Sequence, residues 1–330
     1  MQETSNPKSE IRNPKSAVIG VGSLGQHHAR NFAELARENG GKFIGVCDVS
    51  EEQAKMIAEK NGCDFYTDWR ELLDKVDAVS IVTPTETHCE IACAFLEKGV
   101  NVLVEKPIAL SLEEADLMIS AAEKSGAKLM VGHLERFNPA MVALRPHVNN
   151  PLYFEIHRVS PFPNRSLDVD VVLDVMIHDL DAIQWLVDSK VAEIRAVGIP
   201  VISDKVDAAN ARIEFENGAV ANITASRIGT EKIRKTRFYQ TNSYVVLDYG
   251  TKFASITSLA PNEIHPLLGI SINRLEIEDI EPLRAEISAF LDCVIEDKLP
   301  PITAADGRRA LSLALGVLEK IDIHRNRLNV

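Results

Sequence analysis

Asp174, His178 and Asp181 stand at i, i+4 and i+7 in the segment VVLDVMIHDLDAIQWL. At about 100° per helical residue they share an arc of roughly 60°. The segment, read as one helix over 169–187, is otherwise apolar around most of its circumference, so the helix is expected to be buried. Carboxylates are rarely desolvated without a partner, which places such a stripe on a cavity. An imidazole held by an acid is the usual general base for an alcohol proton, because its ordinary pKa lies near neutrality. Two other readings stay open for the same residues: a polar seam packed on another domain, and an Asp/His metal site.

Lys106 is a second candidate. It follows an apolar run and precedes Pro107, which restricts its backbone. An ammonium there could hold a substrate hydroxyl and stabilise charge on its oxygen; a surface lysine before a turn is the other reading. Cys89 and Cys93, at i, i+4 beside His88, have metal-ligand spacing, but the pattern reads as two buried thiols on an apolar helix face, and no metal is expected.

These side chains need elements to position them. Ala17-Val18-Ile19 runs into Gly20-x-Gly22-x-x-Gly25 and then a helical pattern, the strand–turn–helix in which glycines let a backbone approach a pyrophosphate. A second apolar run, 43–47, ends in Asp48, twenty-three positions beyond Gly25, where an acid can accept from an adenosine ribose. A carboxylate there repels a 2′-phosphate, so NAD is expected and NADP less so. The alternative is that Asp48 caps the following turn.

From Ala17 to about Lys128, strand and helix patterns alternate, which implies a parallel doubly wound sheet. Ser50, Asp68 and Ser111 read as helix starts, and Gly40, Gly99 and Gly126 as stops. Strands ending before Thr83-Pro84 and in Glu105-Lys106 leave both exits at the carboxyl edge of the sheet, where open α/β sheets bind ligands. After Gly132 the rhythm changes to strands, about 152–160, 191–199, 208–215, 219–226, 233–240 and 244–248, with Asn217-Gly218 a hairpin turn. That gives an α/β chain: a disordered tail over 1–16, a Rossmann domain over 17–134, and an α+β domain over 135–330. The second domain has an open, mostly antiparallel sheet whose uncovered face can pair with another subunit. Helical patterns near 281–296 and 304–325 are expected to pack back across both domains.

The 330 residues suit two cores, and a net charge of −12 argues against nucleic acid or anionic membrane as partners. No run approaches a membrane span or a signal peptide, and five cysteines suggest no disulfide framework, so a cytoplasmic location is expected.

Gly20-x-Gly22-x-x-Gly25-x-x-His28, Glu105-Lys106-Pro107, Gly132 with Arg136-Phe137-Asn138-Pro139, and Asp174-x-x-x-His178-x-x-Asp181 together resemble the Gfo/Idh/MocA oxidoreductases, from about residue 17 to 325. The resemblance implies NAD(P)-dependent redox chemistry on a sugar or cyclitol, frequent dimers or tetramers, Lys106 near nicotinamide and substrate, and His178 as acid/base; Asp174 or Asp181 is expected to orient the imidazole or to bind a neighbouring sugar hydroxyl. The cofactor set it implies is Gly20, Gly22, Ser23, Leu24, Gly25, Asp48, Thr83, Pro84, His88, Glu105 and Lys106. Many members carry glycine where this chain has Met176, which reshapes the pocket. The stretch HRVSPFPNR, with DVMIHDLD and ERFNPA, is similar to the subgroup that oxidises nucleotide-linked amino sugars at C3, UDP-N-acetylglucosamine first among them. That subgroup supplies a ketone to an aminotransferase in lipid A precursor synthesis. Arg136, Arg158, Arg165 and Arg227, with Asn138, Lys106, Asp174 and His178, form the expected substrate set, since guanidinium forks suit a diphosphate. Another sugar, an inositol or a UDP-uronic acid are alternative substrates, and a dinucleotide-dependent sugar-binding regulatory protein is the alternative outside catalysis.

Overall fold

A computed structural model describes residues 13–162, 169–259 and 269–328. Of the expected tail, 1–12 lie outside the described residues. Lys15 and Ser16 belong instead to the first strand, β1 (Lys15–Ile19), where Lys15 N donates to the Asp77 carboxylate at 2.8 Å. The polar tail composition hid this because the pairing there is made by backbone.

The first sheet follows with α1 (Gly25–Asn39), β2 (Lys42–Cys47), α2 (Glu51–Asn61), β3 (Asp64–Tyr66), β4 (Ala78–Ile81), α3 (His88–Glu97), β5 (Asn101–Glu105), α4 (Leu112–Ser125) and β6 (Leu129–Gly132). Its order is β3-β2-β1-β4-β5-β6, all parallel. The order reverses between β1 and β4, so the loops after Ile19 and after Ile81 open on the switch-point crevice where such sheets bind ligands. Ser50 Oγ accepts from Gln53 N and Ser111 Oγ from Glu114 N, as the capping spacing predicts. Asp68 heads only a 3₁₀ turn, Trp69–Leu72, because β4 begins too soon afterwards for a full helix. Gly40 and Gly126 end α1 and α4 with φ 74, a conformation costly for other residues.

The second sheet is built from β7 (Pro151–Val159), β8 (Val191–Ile199), β9 (Ala208–Phe215), β10 (Val220–Ser226), β11 (Ile233–Gln240), β12 (Ser243–Asp248), β13 (Phe253–Leu259) and β14 (Ile270–Arg274). Its order is β14-β13-β12-β11-β7-β10-β9-β8; β7 and β10 run parallel and every other pair antiparallel. Alternation sets its faces. Phe154 on β7 and Phe238 on β11 are fully buried with ring centroids 5.1 Å apart, while their neighbours Tyr153 and Tyr239 stack at 5.7 Å on the other face. The inner face packs on α5 (Pro139–Leu144), α6 (Ile177–Val187) and α8 (Ala304–Leu328). β13 and β14 were not anticipated: β13 is rich in Ser and Thr, and β14 is an edge strand with every residue exposed, so neither shows a clean core face.

Compactness divides the described chain into two units. One runs to Gly132 and regains Leu283–Ala305, which includes nearly all of α7 (Pro282–Ile295); the other is His133–Pro282 with Asp306 onward. The C-terminal helices therefore part company, α7 with the first unit and nearly all of α8 with the second.

Arg227, expected to face substrate, is instead a fully buried staple of the second unit. Its guanidinium donates to Asp207 (2.8 Å), the Val169 carbonyl (2.7 Å) and Ser203 Oγ (2.9 Å). Burial alone would push the Asp207 carboxyl up, but N–H donors of Ser203, Ile202 and Val201 outweigh it and hold the group well below the usual carboxylate range. A carboxyl so depressed contributes stability above its unfolded value, and the contribution is lost only as pH falls below about 4 toward the folded value. Arg227→Ala leaves a buried carboxylate uncompensated and is expected to cost about 3–5 kcal/mol in urea unfolding at pH 7. The deficit should shrink when the titration is repeated below pH 4.

Candidate active site

The first unit brings the expected cofactor residues to one sheet edge. Gly20 turns the chain at φ +83, and a Cβ there would lie 2.7 Å from the Val82 carbonyl oxygen; at Gly25 it would lie 1.9 Å from the Gly20 carbonyl oxygen. Both are glycine because the protein itself fills the space. At Gly22 a Cβ meets nothing within 4 Å among the described residues, which leaves the backbone open to an approaching ligand. Leu24 heads α1 without a side-chain cap, which suits an anion at the helix N-terminus. This loop fits a dinucleotide.

Asp48 is half-buried after β2. One carboxylate oxygen accepts from Val21 N (2.9 Å), in the glycine loop, and the other from Ser50 N (3.0 Å), so it does cap the turn. Each oxygen retains a second acceptor site for a ribose hydroxyl. Gln53 Nε2 reaches the Val21 carbonyl at 2.7 Å and fixes the same loop.

His88, expected among the cofactor contacts, is buried and serves the protein. Its Nε2 lies 3.0 Å from the Thr83 carbonyl and its Nδ1 3.1 Å from the Pro107 carbonyl, joining the loop after β4 to the loop after β5. Burial pushes its pKa down, against the two carbonyls, which push it up. Thr83 also pairs with Thr87 through their hydroxyls at 2.7 Å. Glu105 lies 3.2 Å from His28 Nε2, and His28 Nδ1 meets Ser80 Oγ at 2.9 Å. Burial would raise the Glu105 carboxyl, but His28 and Lys106 outweigh it and hold it low. Lys106 is half-buried at the turn, and its peptide bond to Pro107 is cis.

A groove of about 470 Å³ between α3 and α4 is lined by Cys89 and Cys93, and none of the expected cofactor residues lines it. The two sulfurs are 4.0 Å apart, and burial pushes both thiols up, Cys93 to about 12. No cluster of three or more His, Cys, Asp or Glu side chains among the described residues could hold a metal ion.

In the second unit the helix of His178 departs from straight α geometry. Val172–Met176 form a π turn, with Ile177 N bonded to Val172 O, before α6 begins. The extra residue in that turn rotates Asp174 relative to His178. Both remain half-buried, whereas Asp181 is 2% exposed and bound bidentately by Arg136 at 2.8 and 2.6 Å. Asp181 is therefore engaged by Arg136 on both carboxylate oxygens. Met176 is fully buried in the core.

The neighbour that sequence reasoning passed over is Asp179, 1% exposed, which takes a bidentate pair from Arg158 at 2.8 Å each. Arg158 also reaches Glu135 at 2.6 Å and lies over the Tyr249 ring. Burial opposes its charge, but Asp179 and Glu135 outweigh that and keep the guanidinium ionised. Arg136 and Arg158 thus hold the fold in place of the expected substrate. Asn138 is likewise spent: its Oδ1 caps α5 through Ala140 N (3.1 Å), and its amide reaches the Tyr249 carbonyl (3.3 Å). The signal that could have found this was the alternation of acid and base in Glu135-Arg136 and in Arg158 against Asp179. Arg165 lies outside the described residues. Arg234, which the sequence did not single out, sits across from Arg158 on β11, half-exposed and 4.0 Å from Glu135.

Residues 15–133 match the family described as an oxidoreductase family with an NAD-binding Rossmann fold, and residues 147–246 match the GFO/IDH/MocA C-terminal domain. The chain is 35% identical to a UDP-N-acetylglucosamine 3-dehydrogenase of Acidithiobacillus ferrooxidans, over 95% of this chain and 99% of that one. A solved structure of that enzyme superposes with a TM-score of 0.88 over 94% of this chain and 98% of that one. A scyllo-inositol 2-dehydrogenase (NAD(+)) of Bacillus subtilis is 27% identical over 92% of each chain. Levoglucosan dehydrogenase in complex with NADH and levoglucosan shares the fold, with a TM-score of 0.85 at 21% identity over 94% of this chain and 97% of that one.

The glycine geometry separates folding from cofactor binding. Gly22→Ala is expected to keep the thermal midpoint within about 2 °C while weakening NADH at least tenfold by fluorescence titration. Gly25→Ala, which must displace backbone, should lower the midpoint itself.

Proposed function

The chain belongs to the Gfo/Idh/MocA family of oxidoreductases, and from that premise we propose that it oxidises the C3 hydroxyl of UDP-N-acetylglucosamine to a 3-keto nucleotide sugar. The observation that carries this reading is the similarity, over nearly the full length of both chains, to the Acidithiobacillus enzyme. Asp48, an acid already anchored in the glycine loop, favours NAD over NADP through repulsion of a 2′-phosphate.

Bound NAD supplies the hydride acceptor. His178 takes the hydroxyl proton, while Lys106 donates a hydrogen bond to the reacting oxygen and stabilises charge that develops there. Asp174, on the half-buried side of the helix, accepts from a neighbouring sugar hydroxyl. With Arg136, Arg158 and Arg227 committed elsewhere, the diphosphate falls to Arg165 and to Arg234, whose side chain is 43% exposed. A ketone product calls for a consuming transamination, consistent with an aminotransferase partner in lipid A precursor synthesis. The tyrosine-bearing outer face of the second sheet, with Tyr153, Tyr239 and Tyr244 in one stack, is the proposed contact between subunits of a homodimer or homotetramer. Among the described residues no helix is long and apolar enough to cross a membrane, which accords with work in the cytoplasm on a soluble nucleotide sugar.

A cyclitol substrate is the second reading, favoured by the similarity to the Bacillus inositol enzyme. The two separate in one assay: NADH formation from NAD with UDP-N-acetylglucosamine, a UDP-uronic acid or myo-inositol, with a carbonyl trap. Selective turnover of the first, with UDP as a competitive inhibitor, is expected. Turnover of inositol without inhibition by UDP overturns the substrate, and tight NADH binding without turnover of any sugar favours a regulatory protein.

Two substitutions test the roles. His178→Asn should lower kcat by about 10²–10⁴ with NADH affinity unchanged. Asp48→Ala should weaken NAD far more than NADP; equal loss for both sinks the ribose assignment.

A further inference from the structure

Glu286 on α7 is 0% exposed, yet among the described residues neither of its carboxyl oxygens has a hydrogen-bond partner. It stands on a buried apolar face with Leu283, Ile287 and Phe290. Arg284, two residues earlier, is engaged with Glu34 and Glu38 of α1. Among the described residues, the charge that bears on Glu286 is that of another acid, Glu105 at the end of β5. Around Glu105 stand His28 of α1 at 3.2 Å and Lys106, the next residue in the chain.

Two carboxyls that face each other out of water cannot both ionise cheaply, and the charge settles on the one with partners. Glu105 has them: the imidazole of His28, and its own Oε2 accepting from Lys106 N at 3.2 Å. Glu286 has burial and the charge of Glu105, and both push its pKa far up. We propose that Glu286 is a positioning residue for Lys106, held as a neutral carboxylic acid so that Glu105 carries the single negative charge of the pair. Ionising Glu286 sets two anions against each other and disturbs the pairing of Glu105 with His28. The residue this displaces is Lys106, joined to Glu105 by one peptide bond. The function assigned to Lys106 rests on the proposed dehydrogenase activity; the protonation of Glu286 does not.

The sign of the pH dependence is set by linkage. The unfolded chain releases this proton near pH 4.3 while the folded chain keeps it, so stability falls as pH rises above that value toward the folded pKa. Glu286→Gln, always neutral and of the same shape, removes the loss.

Thermal midpoints of the full chain and of Glu286→Gln between pH 5 and 8 should therefore diverge in favour of the variant, by roughly 3 °C per pH unit. The infrared spectrum of the unsubstituted protein at pH 7.5 should contain the carbonyl stretch of a protonated carboxylic acid, absent from the variant. NADH affinity should fall several-fold from pH 7 to 9 in the unsubstituted protein and stay level in the variant. A constant midpoint difference with no carboxylic acid band shows Glu286 ionised and overturns the proposal. The band with identical NADH profiles overturns the positioning role and leaves a merely structural acid. None of these readouts requires the sugar substrate, so they stand or fall apart from its identity.

Discussion

Two arginines reach α6 from opposite flanks and end on carboxylates two residues apart, Arg158 on Asp179 and Arg136 on Asp181. Side chains at i and i+2 project about 200° apart, so the helix is gripped on both sides with His178 between the grips. Glu135 and Arg136, adjacent in one 3₁₀ turn, close the arrangement, since Glu135 takes Arg158 while Arg136 takes Asp181. Each acid–base bond is bidentate or short, and the guanidinium of Arg136 also lies 5.2 Å from the Trp185 ring on the same helix. Buried ion pairs of this kind contribute little net stability against apolar replacements; their effect is to make one arrangement far better than its neighbours. The azimuth of His178 depends on that.

The charge of the protein reads differently once these pairs are placed. An acidic chain was expected to gather its arginines around an anionic substrate. Instead the buried arginines answer buried acids of the same unit, Arg227 with Asp207 among them. Guanidinium is the natural group for this because it satisfies both oxygens of a carboxylate at once.

The fold was largely legible because it rests on patterns that survive in one dimension: apolar runs separated by caps, and a glycine triplet whose spacing implies a turn. Asp48 and the glycine loop were legible for the same reason, since strand end and turn are local features. Arg136, Arg158 and Arg227 were misread because a guanidinium that binds a ligand and one that binds a distant acid look alike in sequence; Asp207 is twenty residues from Arg227. Asp179 was overlooked because a regular 3.6-residue period draws attention to 174, 178 and 181. Glu286 carried no signal, being one acid in an ordinary amphipathic helix. Only packing reveals that it has no hydrogen-bond partner among the described residues.

The π turn at Val172–Met176 has an evolutionary reading. Such a turn holds one residue more than an α turn. Removing a single residue there leaves an unbroken α-helix, with His178 and the two arginine grips unmoved. The segment is thus a place where length can change by one without disturbing the helix beyond it, and where Asp174 can be turned toward or away from the imidazole by insertion or deletion rather than by substitution.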